Sequence, residues 1–300
     1  MSQAALQQKR DRDLQEINDK DTGFMTINLK DKVVLITGST GGLGKATAKA
    51  LLEKGAKLAL LDLDQAAIQA QVKELGGKIN AFGCASNVCS LQDLEQCFAA
   101  VHRHFGRIDV VIANAGVGYT EPLQTMTEQS FEKMIDVNLS GVFRTFKAAL
   151  PYVTQTRGHL LAVSSMAAFV NAPLNSHYAA TKAGVLAFCN SLRVELHHLG
   201  ISVGTIHPTF FKTPMTDAIM DSHCSKLVFN NYRGIWKFVD AQEVVQQLVE
   251  SIEQRKQLVT APSGLWVVAK ASGLLRPLVE RIGFRNDRVE KAVRQTIAEY

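Results

Sequence analysis

Val33-Val34-Leu35-Ile36-Thr37-Gly38-Ser39-Thr40-Gly41-Gly42-Leu43-Gly44 is the stretch on which the reading of this chain turns. Lys32 to Thr37 reads as a buried strand, and Leu43 to Lys54 carries alanine and leucine at helical spacing, so the glycines fall at a strand-to-helix turn. Glycine permits a tight turn and a close backbone approach there, and the free N–H groups of a helix start can hold a pyrophosphate. A glycine-rich loop without a ligand is the plainer alternative. A second apolar strand, Lys57 to Leu61, ends at Asp62, where a carboxylate can accept both ribose hydroxyls of an adenosine. The same charge repels a 2′-phosphate, and neither Gly41 nor Leu63 supplies a cation to hold one. NAD(H) is therefore expected over NADP(H); a solvated acid at a strand end is the alternative.

Further along, Ser176-His177-Tyr178-Ala179-Ala180-Thr181-Lys182 sets a tyrosine and a lysine four residues apart, with Ser165 thirteen positions upstream of the tyrosine. If the stretch is helical, phenol and ammonium share one face, and the cation is expected to stabilise phenolate and lower the tyrosine pKa. Such a tyrosine serves as a general acid or base. Alone, Tyr-x-x-x-Lys is a weak signal; the glycine turn upstream is what gives it weight.

With both motifs in place, the chain resembles the short-chain dehydrogenase/reductase family over roughly residues 30 to 262. The family's Thr-Gly-x-x-x-Gly-x-Gly matches Thr37, Gly38, Gly42 and Gly44, its Asn-Ala-Gly matches Asn114-Ala115-Gly116, and its tetrad matches Asn138, Ser165, Tyr178 and Lys182. The resemblance implies that Ser165 hydrogen-bonds the substrate oxygen and Tyr178 passes the proton. It also implies that Lys182 binds the nicotinamide ribose and that Asn138 helps hold a water relay behind it. Ser165 is preferred over the adjacent Ser164 because of its thirteen-residue separation from the tyrosine. Cofactor contacts are expected from Gly38, Thr40, Gly42, Leu43, Gly44, Asp62, Asn87, Val88, Asn114, Ala115, Gly116, Tyr178, Lys182, Pro208 and Thr213. Two departures stand out: Asn87-Val88 replaces the usual Asp-Val, although Asn keeps an acceptor oxygen, and Pro208-Thr209 replaces Pro-Gly before Thr213.

Seven strand-like runs, at 33–37, 57–62, 79–83, 108–113, 159–164, 201–207 and 257–260, alternate with helix-like intervals. That alternation predicts an α/β fold: a single Rossmann-like, doubly wound parallel sheet with helices on both faces and ligands beyond the carboxyl ends of its strands. The expected division is a polar N-terminal extension at 1–28, lying outside the fold, a dehydrogenase domain at 29–262 and a basic, apolar C-terminal extension at 263–300. The first segment has four basic residues against five acids and no apolar core of a signal peptide, so neither a nucleic-acid arm nor a leader is expected. The last has seven basic residues against four acids, with apolar stretches too interrupted to span a bilayer. Three readings are open for it: a packing extension over the substrate cleft or a neighbouring subunit, an interfacial membrane contact, or a loosely ordered end.

Five cysteines, Cys84, Cys89, Cys97, Cys189 and Cys224, form no Cys-x-x-Cys pair and leave one over, so reduced thiols and a cytoplasmic location are expected. The histidine pairs His102/His104 and His197/His198 lack the further ligands of a zinc site, so no metal is expected. Phe169, Val170, Phe210, Phe211, Met215, Ile219 and Trp266 are candidates for a hydrophobic slot that points to a lipophilic substrate, such as a fatty aldehyde, hydroxyacyl or steroid-like molecule. By the family resemblance the chain is expected to be a homodimer or homotetramer. The expected function is an NAD(H)-dependent oxidoreductase interconverting alcohol and carbonyl. A catalytically silent dinucleotide-binding protein or membrane-surface scaffold is the competing class, and the intact tetrad argues against it.

Overall fold

The computed structural model describes residues 24–213 and 222–298. Seven strands form one sheet: β1 (Val33–Thr37), β2 (Lys57–Asp62), β3 (Ala81–Ala85), β4 (Val110–Ala113), β5 (His159–Val163), β6 (Ser202–Pro208) and β7 (Leu258–Ala261). Their order is β3-β2-β1-β4-β5-β6-β7 and every pairing is parallel. Each expected strand is present, with its ends within about two residues of the sequence reading.

Parallel neighbours require crossovers, and helices supply them. These are α1 (Gly42–Glu53), α2 (Gln65–Glu74), α3 (Leu91–Phe105), α4 (Glu128–Ile135), α5 (Gly141–Thr156) and α6 (Ser176–Leu196). The chain continues through α7 (His223–Val228) and α8 (Ala241–Glu253) to α9 (Trp266–Lys270), α10 (Ser272–Gly283) and α11 (Asn286–Ala298). Alternation along each strand divides the core into two layers. Val34 and Ile36 pack with Leu51 of α1, Ile68 of α2 and Leu248 of α8; Val33 and Leu35 pack with Phe98 of α3, Phe146 of α5 and Val185 of α6. The strand order reverses between β1 and β4, and the crevice at such a switch point is where doubly wound sheets take ligands.

Two sequence expectations change, and one open question about the C-terminal segment is answered. Residues 24–28 do not lie outside the fold: Ile27 is buried in the core, its N–H donates to the Glu253 carbonyl at 2.7 Å, and Phe24 sits edge-on to His197. A polar composition upstream masked one apolar anchor. Residues 1–23 of the arm lie outside the described residues. Cys84 and Cys97 are joined in a disulfide with a Cα–Cα separation of 5.8 Å, while Cys89, Cys189 and Cys224 remain free. No short motif announces this pair; the packing of α3 against the end of β3 brings the sulfurs together, so the inference from cysteine pattern to five reduced thiols fails here. The C-terminal residues 266–298 are helical and packed on the domain, with Val279 and Phe284 against Met166, Phe169 and Val170. Among the described residues no helix is long and apolar enough to cross a membrane, and no group of three His, Cys, Asp or Glu side chains is placed to hold a metal ion.

Candidate active site

Five of the described helices start under a side-chain cap: Asp64 on α2, Ser90 on α3, Thr127 on α4, Ser222 on α7 and Asp240 on α8 each accept from the first turn. At α1 the cap position is Gly41, no side chain caps the turn and no acid lies in it. Its N–H groups and the positive end of the helix dipole are thus left to meet an anion. Two glycines shape the cradle. Gly38 has φ +66°, and a Cβ on Gly44 would sit 2.2 Å from the Gly38 carbonyl oxygen.

Thr37 closes this turn against the end of β4. Its Oγ1 accepts from the backbone N–H of Asn114 (3.1 Å) and Ala115 (3.2 Å), while Asn114 Nδ2 donates to the carbonyls of Thr37 and Gly38 at 3.0 and 2.9 Å. At the end of β2, Thr40 donates to Asp62 Oδ2 from its backbone N–H at 2.9 Å and its hydroxyl at 2.7 Å. Those bonds fix the carboxylate at the rim and leave it further acceptor capacity. Asn87 Oδ1 accepts from the Cys89 N–H at 2.9 Å, which orients the amide at the cleft and leaves its oxygen a second lone pair.

Beyond β5 the helical condition on the Tyr-Lys pair is met, because both residues lie on α6. Lys182 Nζ sits 5.5 Å from the centroid of the Tyr178 ring and donates to the Val163 carbonyl at 2.9 Å. The pKa expectation is corrected. Burial raises Tyr178 above the ordinary tyrosine value, and a hydrogen bond with Ser165 offsets part of this. The ammonium lies over the ring face and is tied to the Val163 carbonyl. Burial in turn lowers Lys182 to about 8.

Ser165 caps the turn after β5, accepting from the Ala167 N–H at 3.2 Å; the adjacent Ser164 is buried and donates to the Lys182 carbonyl at 3.0 Å. Asn138 lies in a π-helical turn, Asp136–Ser140, between α4 and α5, a rare geometry that often marks functional sites. Fully buried, it accepts from the Val117 N–H at 2.8 Å and donates to the Val117 carbonyl at 2.9 Å, clamping the loop after β4.

Gly38, Thr40, Gly42, Leu43, Gly44, Asp62, Asn87, Val88, Asn114, Ala115, Gly116, Ser165, Tyr178, Lys182, Pro208 and Thr213 all line one cleft of about 790 Å³. Asn138 stands behind it. Thr209 keeps the Pro208 loop on the sheet by donating its N–H to the Ala261 carbonyl at 2.9 Å. Of the apolar candidates, Val170, Phe210 and Phe211 line the cleft. Phe169 packs beneath it on His207, Trp266 is exposed, and Met215 and Ile219 lie outside the described residues. Sequence reasoning missed Phe229, Tyr232, Trp236 and Phe284, which complete an aromatic wall. Phe210 meets Phe229 at 4.7 Å, and Trp236 stacks on Phe284 at 4.9 Å.

His207 was missed as well. Its Nδ1 lies 3.1 Å from the Ser165 carbonyl and its Nε2 lies 2.9 Å from Thr205 Oγ1. A carbonyl only accepts, so Nδ1 carries the hydrogen and steadies the backbone of Ser165. Burial lowers His207 to about 4, which keeps it neutral in this role. No local motif distinguishes it; its place at the end of β6, beside β5, does.

The Lys182 shift has a directional consequence. A lysine with a lowered pKa loses its charge as pH rises through about 8, while Tyr178, raised, keeps its proton there. In the carbonyl-reducing direction kcat/KM is expected to be level below that point and to fall above it, since this parameter reports free-enzyme groups. A pH profile that stayed flat well into the alkaline range would show that the lysine charge is not required.

This fold, a parallel sheet with a glycine turn at its switch point and a Ser, Tyr and Lys group beside it, defines a nucleotide-dependent oxidoreductase class. The chain belongs to the short chain dehydrogenase family, which its residues 32–223 match, and it is an oxidoreductase acting on CH–OH or C=O groups. It is 35% identical over 196 residues to the 3-oxoacyl-[acyl-carrier-protein] reductase FabG of Vibrio cholerae, covering 65% of this chain and 80% of that one. An uncharacterized oxidoreductase of Staphylococcus epidermidis is 32% identical over 206 residues, covering 68% and 88%. Among solved structures, a short chain dehydrogenase/reductase from Burkholderia phymatum in complex with NAD shares the fold with a TM-score of 0.73 at 22% identity, covering 86% of this chain and 97% of that one. Levodione reductase does so with a TM-score of 0.70 at 28% identity, covering 80% and 99%.

Proposed function

We propose that this enzyme uses NAD(H) to interconvert a lipophilic alcohol and its carbonyl compound, with Ser165, Tyr178, Lys182 and Asn138 as its working residues and 29–262 as its catalytic unit. The observation that carries the reading is the single cleft. The glycine turn with Asp62, the aromatic residues Phe210, Phe229, Tyr232, Trp236 and Phe284, and Ser165, Tyr178 and Lys182 all line it.

The residues fit a dinucleotide on two observations: the uncapped start of α1, and the tight turn in which Gly44 packs directly on the Gly38 backbone, leaving no room for a Cβ. Gly42, Leu43 and Gly44 would hold the pyrophosphate, Asp62 with Val88 the adenosine, and Asn114, Ala115, Gly116, Lys182, Pro208 and Thr213 the nicotinamide half. The bound cofactor supplies the hydride donor or acceptor. Ser165 fixes the reacting oxygen through its hydroxyl, Tyr178 delivers the proton to that oxygen or removes it, and Lys182 keeps a positive charge beside the phenol. Asn138 acts at one remove, by holding the Val117 loop. The aromatic wall orients the apolar body of the substrate and excludes water. For assembly, Phe143 on α5 and Val194 on α6 are exposed apolar residues that support a homodimer or homotetramer built on these helices.

Turnover of a chain-length series of alcohols and carbonyl compounds with both cofactors tests the reading. Each methylene added within the pocket is expected to raise kcat/KM by about tenfold, and a flat response would remove the lipophilic assignment. Asp62→Ala combined with Leu63→Arg is expected to shift preference toward the 2′-phosphorylated cofactor by about tenfold or more, because like-charge repulsion is worth several kcal/mol. Equal use of both cofactors by the unaltered enzyme would overturn the NAD(H) choice.

A further inference from the structure

A surface helix normally turns its apolar stripe inward; α10 carries a second one outward. Leu274, Leu278 and Ile282, at successive four-residue steps, are 83%, 54% and 60% exposed, while Val279 and Gly283 face the protein. On α9, Trp266 and Val267 are 51% and 56% exposed beside this stripe in sequence. Cations flank it. Lys270 lies over the Trp266 ring at 5.8 Å, and Arg281 is exposed next to Ile282. Between Ser263 and Arg285 the only acid is Glu280, which pairs with Arg276 at 3.8 Å, while Arg285 pairs with Asp287. Lys270 and Arg281 have no carboxylate partner among the described residues.

We propose that the outward face of α9 and α10 docks on an anionic membrane surface, its apolar residues entering the headgroup boundary and its cations meeting lipid phosphates. The charge pattern selects this occupant: a second copy would appose two cationic patches, whereas an anionic bilayer complements both the apolar and the basic side chains. Continuity with the cleft supplies a purpose. Phe284 follows α10 directly, lines the cleft and stacks on Trp236, and the Trp236 Nε1 donates to the Gly283 carbonyl at 3.3 Å. Docking would therefore bring the aromatic wall close to a lipid phase. That purpose rests on the lipophilic-substrate reading; the docking itself is measured without substrate.

Flotation of the full chain with vesicles of phosphatidylcholine containing about 30% phosphatidylglycerol, and with phosphatidylcholine alone, tests the proposal. The expected result is recovery with the anionic vesicles, weaker recovery at high salt and little with the neutral ones. A variant carrying Leu274→Ser, Leu278→Ser and Ile282→Ser is expected to lose recovery by about tenfold, with unchanged circular dichroism and unchanged turnover of a water-soluble substrate. The proposal falls if the unaltered chain stays unbound or if the triple variant floats equally well. It falls too, in favour of a second copy, if sedimentation velocity shows stripe-dependent dimers and the vesicles capture nothing. A chain that floats yet shows no chain-length preference in turnover would retain the docking surface and lose the lipophilic substrate.

Discussion

Tyr178→Phe is expected to lower kcat by about 10²–10⁴-fold, the range for loss of a positioned proton-transfer group, while leaving the dissociation constant for the dinucleotide unchanged. The substitution removes one oxygen from a half-buried ring on α6 and leaves the glycine turn and Asp62 untouched. Nicotinamide absorbance measures turnover and cofactor fluorescence measures binding. Ser165 loses a hydrogen-bond partner in this variant, yet it keeps the Ala167 N–H, so the oxygen-binding side of the site persists. Turnover within a factor of a few of the unaltered enzyme would remove Tyr178 as the proton-transfer residue.

Gly44→Val is expected to abolish measurable dinucleotide binding and to destabilise the fold by about 1–3 kcal/mol or more, the cost of overpacking a close-packed site. The first side-chain atom would meet the Gly38 carbonyl oxygen at 2.2 Å and the Ser39 Cα at 2.9 Å. Both are backbone atoms, so the turn itself must open. Opening it displaces Gly38, whose carbonyl accepts from Asn114, and the strain reaches the end of β4. Isothermal titration with NAD⁺ and a thermal melt read the two effects separately. Cofactor affinity equal to that of the unaltered chain would mean that this turn does not cradle the ligand.

Much of the fold was legible because its signals are local. A strand buried on both faces reads as an unbroken apolar run, and β1, β2 and β4 do so. The tyrosine and lysine were legible because a helix places residues four apart on one face. The state of those groups was not. Whether Lys182 lowers the tyrosine pKa depends on where its ammonium lies, and the Val163 carbonyl, contributed by another element, decides that. Asn87 was read as an available acceptor; the fold adds that a backbone N–H two residues on uses one of the two lone pairs of its oxygen.

By itself the sequence determined the parallel sheet, the glycine turn, the carboxylate at the end of β2 and the order of the site residues, since each depends on spacing within a short segment. Tertiary structure alone completed the aromatic wall of the cleft. Phe210, Phe229, Trp236 and Phe284 are scattered over more than seventy positions and become one wall only when α7, the turns after it and the C-terminal helices fold over the cleft. It also decided the Cys84–Cys97 pairing and the outward stripe on α10. The physical reason is common to all three: an apolar or sulfur-bearing side chain carries no mark of its partner, and only packing supplies one.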